Sequence, residues 1–453
     1  MKPELYDYDI FPKVFPVGKE VEITVKPQGY HANFPNPCIV SVHSLDGGTP
    51  RAEFNKDNRT DYKLVPDADG CLRFKYTASH ECEYYVRFFN EGEERRFLQL
   101  SVYALDEDLA CRTPFRGDLH MHTRRSDGKQ DPAIVVANYR KTGYDFIVIT
   151  DHGRYYPSLD AIKAYADVDT AITILPGEEV HLPLTDVHIV NAGGKFSVNG
   201  IVNTSNNYNE TNGELDRRRF DESVTPPDIL DMTAYEAEIK KVEDTITDCP
   251  DGVDKRSYAV CCWAFDKIRE GEGLAIFAHP YWLADMWQIR EAFTYYMMKN
   301  HPFDAFEVLG GESYYQQNGF QTALYYEEYL QGRVHPIVGS TDSHNSTEHN
   351  RNGHICSTIV FADKNERESL LTAIKDKYSV AVDTISKEYR LVGPFRLQKY
   401  ASFLWENYFP VHDRAAVLDG EMMRQYFLGE ASADDVKLLA DKSKALFDKY
   451  FVR

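Results

Sequence analysis

Roughly the first 110 residues alternate apolar and polar positions in short runs. EVEITVKP (20–27), NPCIVSVHSL (36–45), CLRFKYTA (71–78), CEYYVRFFN (82–90) and RRFLQLSVYAL (95–105) are rich in β-branched and aromatic residues. Runs of that composition and length predict strands. Turn-forming stretches such as SLDGGTP and PDADG separate them. The spacing predicts a small all-β, sandwich-like domain over residues 1–112. His31, His43 and His80 read as ordinary surface or core histidines, and the domain shows no cluster of reactive side chains.

From residue 113 the pattern changes. PAIVVANYRKTGY has helical apolar spacing and closes on a glycine that suits a helix end. DFIVITDHG, AITILPGEEV, DVHIVNAGG, GLAIFAHPYW, FDAFEVLGG and HPIVGSTDSH follow, each an apolar run that ends in His, Asp or Glu. Strands alternating with helices predict an α/β domain over 113–385, its parallel strands carrying chemistry at their C-terminal ends. An insertion at about 196–265 opens with the polar SVNGIVNTSNNYNETNGELDRRRF, expected as a loop that either shapes access to the active face or lies away from it. ILDMTAYEAEIKKVEDTI and YAVCCWAFDKIREGEG predict two helices, the second stopping at glycine. Residues 386–453 predict a helical C-terminal extension, in which ASADDVKLLADKSKALFDKYF is amphipathic with a Ser or Asp cap.

At 453 residues two or three domains are expected, and 43% hydrophobic with 13% aromatic residues supplies large cores. No run approaches the ~20 apolar residues of a membrane span. The N-terminus lacks the apolar stretch of an export signal, so a cytoplasmic location is expected. Eight cysteines include no C-x-x-C pair, which argues against thiolate zinc clusters and thioredoxin-like motifs; vicinal Cys261 and Cys262 read as part of a buried helix. A formal net charge of −20 argues against a stable nucleic-acid partner. It leaves room for a small anionic substrate at a site where metal cations supply the positive charge.

The donors can now be collected. In GDLHMHTRRSDG (117–128), His120 and His122 share one face of a strand while Met121 points opposite, and the turn at Ser126-Asp127-Gly128 can return a carboxylate beside them. His152 of TDHG, Glu179 of PGEEV, His188 of DVHIV, His279 of AHPYW, and Asp342 with His344 of STDSH complete six imidazoles and three carboxylates. Burying so many ionisable groups together is costly unless divalent cations compensate them. A nitrogen and oxygen set without sulfur suits zinc, manganese or iron, and nine donors suit two or three ions.

The ordered segments DLHMHT, SDG, TDHG, GEE, AHP and TDSH resemble the motif series of the polymerase-and-histidinol-phosphatase (PHP) superfamily, over roughly residues 113–365. GDLHMHT followed by SDG looks most like its carbaryl-hydrolase-like metallohydrolase branch. The resemblance implies a distorted (β/α)7 PHP barrel with up to three metals. Carried over by motif, His120, His122, Glu179 and Asp342 would hold one ion. Glu179, His188 and His279 would hold a second, with Glu179 bridging, and Asp127, His152 and His344 a third. Asp127 stands where some members use histidine. The G-x-E pattern selects Glu179 over Glu178, and His188 is favoured over His181, which shares a strand face with Glu179.

The implied activity is metal-dependent hydrolysis by metal-bound hydroxide, most directly a phosphoesterase acting on a small phosphomonoester, sugar phosphate or nucleotide. Glu179, Asp342 and His344 are the catalytic candidates; either His344 or Asp342 could relay a proton to the leaving group, an assignment left open because a metal-bound histidine is a poor acid. Asp118 and Asp151 either orient ligand imidazoles or cap strand ends. Arg124, Arg125, Arg154, Tyr281, Asn345 and Arg351 are substrate-contact candidates, because a guanidinium can grip phosphate through two hydrogen bonds. A basic pocket around Arg124, Arg154 and Arg351 would favour phosphate. One lined by Tyr155, Tyr281 and Trp282 would favour the alternative, an ester, amide or carbamate hydrolase on the same metals. A non-catalytic metal-binding module is the third reading.

Overall fold

The computed structural model describes residues 2–46, 59–202, 229–283, 285–310, 315–347, 356–384 and 389–453. They form two compact units, one of Met1–Thr113, Lys399–Ala415 and Asp441–Arg453, the other of Pro114–Gln398 and Ala416–Ala440.

In the first unit the strands are β1 (Tyr8–Phe11), β2 (Val14–Pro16), β3 (Glu20–Pro27), β4 (Cys38–Ser44), β5 (Arg59–Leu64), β6 (Leu72–Thr77), β7 (Cys82–Asn90) and β8 (Leu98–Leu105). They make two sheets, ordered β1-β3-β6 and β2-β8-β7-β4-β5. Alternation sends Ile23 and Val25 of β3 and Leu72 and Phe74 of β6 into the same core as Val40, Val42, Val86, Phe88, Leu100 and Val102 from the other sheet. All five runs read as strands are strands. β1, β2 and β5 escaped notice because two are very short and RTDYKL is mostly polar.

This unit also buries a charge. Lys13 is fully buried; its Nζ lies 3.6 Å from an Asp9 oxygen, lacks a hydrogen-bond partner among the described residues, and sits 4.8 Å from the centre of the Tyr450 ring. Asp9 is also bound by Lys449 at 2.5 Å and by the Tyr450 hydroxyl.

The second unit contains β9 (Thr113–Asp118), β10 (Phe146–Val148), β11 (Thr173–Leu175), β12 (Gly177–Val180), β13 (Ile189–Ala192), β14 (Leu274–Phe277), β15 (Ala305–Leu309), β16 (Ile337–Gly339), β17 (Cys356–Ala362), β18 (Ser379–Asp383) and β19 (Arg390–Val392). Their sheets run β11-β10-β9-β17-β18-β19 and β12-β13-β14-β15-β16. Pairs β9–β10, β14–β15 and β15–β16 are parallel, but β13 is antiparallel to both β12 and β14. This corrects the expectation of parallel strands throughout. The link from Val180 to Ile189 is shorter than the dozen or so residues a parallel crossover needs. Reversal has a useful effect: His188, just before β13, falls at the same sheet end as the C-termini of β12 and β14. Parallel bridges Met121–Ser343 and His152–Glu179 join the segments after β9 and β16, and the segment after β10 to β12.

The helix Pro132–Lys141 starts at Asp131, whose carboxylate accepts from the Ala133 amide, with proline in the first turn. Both helices expected in the insertion form, as Met232–Thr245 and as Lys255–Glu270 with Gly271 at its end. Cys261 is buried on the second and Cys262 half-buried. The Asn-rich stretch lies largely outside the described residues. Toward the C-terminus the helices are Phe395–Asn407, Phe409–Phe427 and Ala433–Tyr450. No described helix is long and apolar enough to cross a membrane.

Burial, opposed by Asp9, pulls the Lys13 pKa down from 10.5 to about 8. The folded state therefore binds fewer protons than the unfolded chain between those values, and stability from this group rises with pH across that window. Near neutral pH, Lys13→Met is expected to stabilise the protein by about 1–3 kcal/mol, since Asp9 keeps Lys449 and Tyr450. The advantage over wild type should shrink as pH approaches 10.5. Thermal melts of both proteins across that range check this; a destabilised variant at neutral pH contradicts it.

Candidate metal centre

Two buried aspartates brace the loops that carry the donors. Asp118, at the end of β9, accepts from the amides of His120 (3.1 Å) and Thr341 (3.1 Å) and from the Thr341 hydroxyl (2.6 Å). Burial pushes its pKa up to about 7. Asp151 accepts from the amide and hydroxyl of Thr123 (2.9 and 2.8 Å) and of Ser126 (3.0 and 2.6 Å). Both hold backbone and hydroxyl groups, which is the strand-end capping role. Asp342 itself has φ of 48°, a left-handed conformation that aspartate tolerates better than most residues, and its amide donates to the His120 carbonyl at 2.9 Å.

At the middle lies Glu179 of β12, 1% exposed. Its neighbour Glu178 points to the other face, as strand alternation requires, and is occupied there by Ser197 (2.8 Å), Asn199 (2.8 Å), Asn191 (3.3 Å) and the Val198 amide. Ring nitrogens of six histidines surround the Glu179 carboxylate: His152 at 2.5 Å, His188 at 2.7, His181 at 3.2, His120 at 3.6, His122 at 3.7 and His279 at 3.8. Asp342 faces Nε2 of His122 (2.8 Å), His120 (3.4 Å) and His279 (3.7 Å). Asp127 faces His344 (3.2 Å) and His152 (3.5 Å). All nine donors collected from the sequence therefore converge.

Four groups bring their ligand atoms within 4.8 Å of one another: His122, Asp127, His152 and His344; His120, Glu179 and His279; His120, His122 and Asp342; and His152, Glu179 and His181. The sets overlap those implied by the motifs without matching them. His122 joins the Asp127 group, and His181 converges with Glu179 as His188 also does. Nε2 of His188 lies 2.9 Å from the side-chain nitrogen of Gln288.

Apart from these imidazole contacts, both Glu179 oxygens, Nε2 of His120, Nδ1 of His188 and both nitrogens of His279 are buried without a hydrogen-bond partner among the described residues. Converging buried nitrogen and oxygen donors of this kind fit divalent cations. Charge agrees. Burial opposes ionisation of Glu179, yet His188, His152, His181 and His120 hold it well below the usual carboxylate range. Burial, with His152 and His344 alongside, lowers His122 to about 3, and burial lowers His188 to about 4, the direction metal ligation requires, whereas against burial neighbouring carboxylates raise His120, His152, His279 and His344.

Glu307 of β15 went unnamed as a site residue. Fully buried, it sets both carboxylate oxygens 3.3 Å from His120 Nδ1 and accepts from the His279 amide at 3.2 Å. A charged residue inside the apolar run AFEVL was the available signal.

The substrate-contact candidates have other partners. Arg124 pairs with Asp131 (2.7 Å) and Arg125 with Asp160 (3.5 Å), while buried Arg154 donates to the Arg125 carbonyl. Asn345 accepts from Gln130 at 2.7 Å. Tyr281 is buried against Trp287 and Phe320, and the Tyr155 hydroxyl donates to the Gly194 carbonyl at 2.6 Å. Arg351 lies outside the described residues.

No protein-family model matches this chain, and no curated protein matches it. Among solved structures it is similar to a two-domain protein from Bacteroides vulgatus described as containing a predicted PHP-like metal-dependent phosphoesterase (15% identity, 60% of this chain and 65% of that one, TM-score 0.37). A structure from Bifidobacterium adolescentis described as a candidate metal-dependent phosphoesterase is similar at 15% identity, over 57% of this chain and 96% of that one, with TM-score 0.35. An amidohydrolase from Chromobacterium violaceum, with sulfate and no metal bound, shares 14% identity over 52% of this chain and 89% of its own, with TM-score 0.28. The donor set supports divalent metal use, and with the motif series it supports a metal-dependent hydrolase in general.

Protein purified without chelator is expected to carry divalent transition-metal ions, measurable by elemental analysis. Removing them should lower the melting temperature, because a bound ion stabilises only the fold that assembles its donors. His279→Ala should reduce the ion content. A content near zero that added manganese, iron or zinc fails to raise contradicts the assignment.

Proposed function

We propose that this protein is a metal-dependent phosphoesterase acting on a small anionic substrate. The observation that carries the reading is the convergence of six imidazoles and a second carboxylate group around buried Glu179. In the same reading the second unit is a distorted seven-stranded barrel: β9, β10, β12, β13, β14, β15 and β16 in a ring, joined through the Met121–Ser343 and His152–Glu179 bridges.

Divalent ions held here would supply Lewis acidity and lower the pKa of water toward neutrality. The chain's own residues set where that chemistry occurs. Glu179 belongs to two of the donor groups, so its carboxylate fixes their separation. Side chains of His120, His122, His279 and Asp342 are at most 8% exposed, whereas Asp127 is 45% and His152 and His344 are each 31% exposed. Substrate approaches from that open side. An accessible face is what a catalytic site needs and a purely structural one lacks. His344 donates from Nδ1 to the Asp342 carbonyl at 2.9 Å, which leaves the Nε2 lone pair facing Asp127, where it would be available to hold an ion.

A second reading, hydrolysis of a carbonyl ester, amide or carbamate, draws on two observations. Arg124, Arg125 and Arg154 are engaged with protein groups, and the Trp282 ring lies 6.1 Å from His188 and 6.4 Å from His279. A panel of phosphomonoesters and of acyl and carbamate esters, assayed with manganese, iron or zinc, separates the two. Turnover of a phosphomonoester is expected to be lost on chelation and to fall ~100-fold or more in Glu179→Gln. Turnover confined to acyl or carbamate esters favours the second reading, and turnover indifferent to chelation contradicts both.

A further inference from the structure

We propose that Glu307 is a positioning residue that sets the metal-binding form of His120, and that Gly310 is glycine to leave room for it. The inference rests on the metal reading above and concerns how this chain prepares one ligand.

Each ring nitrogen of His120 has its own surroundings. Nε2 faces Glu179 (3.6 Å) and Asp342 (3.4 Å), the side on which an ion would sit, and has no hydrogen-bond partner. Nδ1 faces Glu307, its hydrogen-bond partner among the described residues, with both oxygens 3.3 Å away. A carboxylate oxygen that accepts from Nδ1 places the ring proton there and leaves the Nε2 lone pair toward Glu179 and Asp342, where an ion would be held. The same carboxylate takes the His279 amide at 3.2 Å, and the His120 and His279 rings stack with centroids 5.3 Å apart and planes at 19°. One buried side chain thus holds the ring of one ligand and the backbone of another. Asp118 and Asp151 are committed to amides and hydroxyls and do not serve this purpose.

Gly310 supplies an independent observation. A Cβ there would lie 2.3 Å from Glu307 Cδ and 2.4 Å from Oε1. The Gly310 backbone cannot easily yield, because its amide donates to Asn318 at 3.0 Å and its carbonyl accepts from Gln317. An added methyl group must therefore displace the end of the Glu307 side chain from the position in which it meets His120.

The test uses the full-length chain, stripped of metal and titrated with cobalt(II), whose visible absorption reports its coordination. In Glu307→Gln the amide NH2 group opposes the Nδ1 proton while volume and an acceptor for His279 are kept. One site is expected to bind cobalt ~10–100-fold more weakly, with altered absorption bands. The metal-free variant should melt within about 2 °C of metal-free wild type. Gly310→Ala, which leaves the carboxylate chemistry intact, should reproduce the cobalt phenotype by displacement. Wild-type cobalt affinity and absorption in both variants overturn the proposal, as does weak binding accompanied by a large loss of metal-free stability in both, which would make Glu307 a fold element. If wild type itself takes up no cobalt, the metal reading fails, a result distinct from normal uptake in wild type and variants alike.

Discussion

A single buried carboxylate surrounded by imidazoles organises this protein. Glu179 is 1% exposed and lies within 3.8 Å of ring nitrogens from six histidines, which arrive from the loops after β9, β10 and β14 and from both ends of the β12–β13 link. Isolated charge in a protein interior is unfavourable unless compensated. The compensation here comes from donors far apart in sequence, so the fold must deliver each to within a few tenths of an ångström. Several local features that look incidental serve that delivery. They include the reversal of β13 that brings His188 to the shared sheet end, the Asp118 and Asp151 braces under the β9 and β10 loops, and the left-handed backbone at Asp342.

The electrostatics follow from the same crowding. Carboxylates held far below their usual range and imidazoles divided between raised and lowered values describe a set of groups competing for too few protons. His120 and His152 are pushed up by their carboxylates against the effect of burial, while His122 and His188 are pushed down. Protons satisfy such a set poorly: six imidazoles crowd one carboxylate, and Nε2 of His120 and both nitrogens of His279 have no hydrogen-bond partner among the described residues. Divalent ions satisfy it with fewer particles and more charge, and they make the distances around Glu179 intelligible.

Much of this was legible in the chain. The nine donors could be named because each ends an apolar run, and strand alternation separates Glu179 from Glu178. The five longer β-runs of the first unit and both insertion helices were equally readable. What was not legible depends on contacts between distant segments. Strand direction at β13 is decided by link length, not by the run itself. Glu307 sits inside an apolar strand, where a lone acidic residue reads as sequence noise until His120 is placed beside it. His181 and His188 both reach Glu179, which spacing alone could not show. The arginines near the motifs looked available for substrate because their partners, Asp131, Asp160 and the Arg125 carbonyl, give no sequence signal of pairing.

The most direct test of the account is anomalous X-ray diffraction from crystals of the protein purified without chelator, measured on either side of the absorption edges of zinc, iron and manganese. The account predicts anomalous peaks beside Glu179, at about 2.0–2.3 Å from its oxygens and from nitrogens of the surrounding imidazoles. A map without such peaks, in which Glu179 is hydrogen bonded directly to protonated imidazoles, would contradict it.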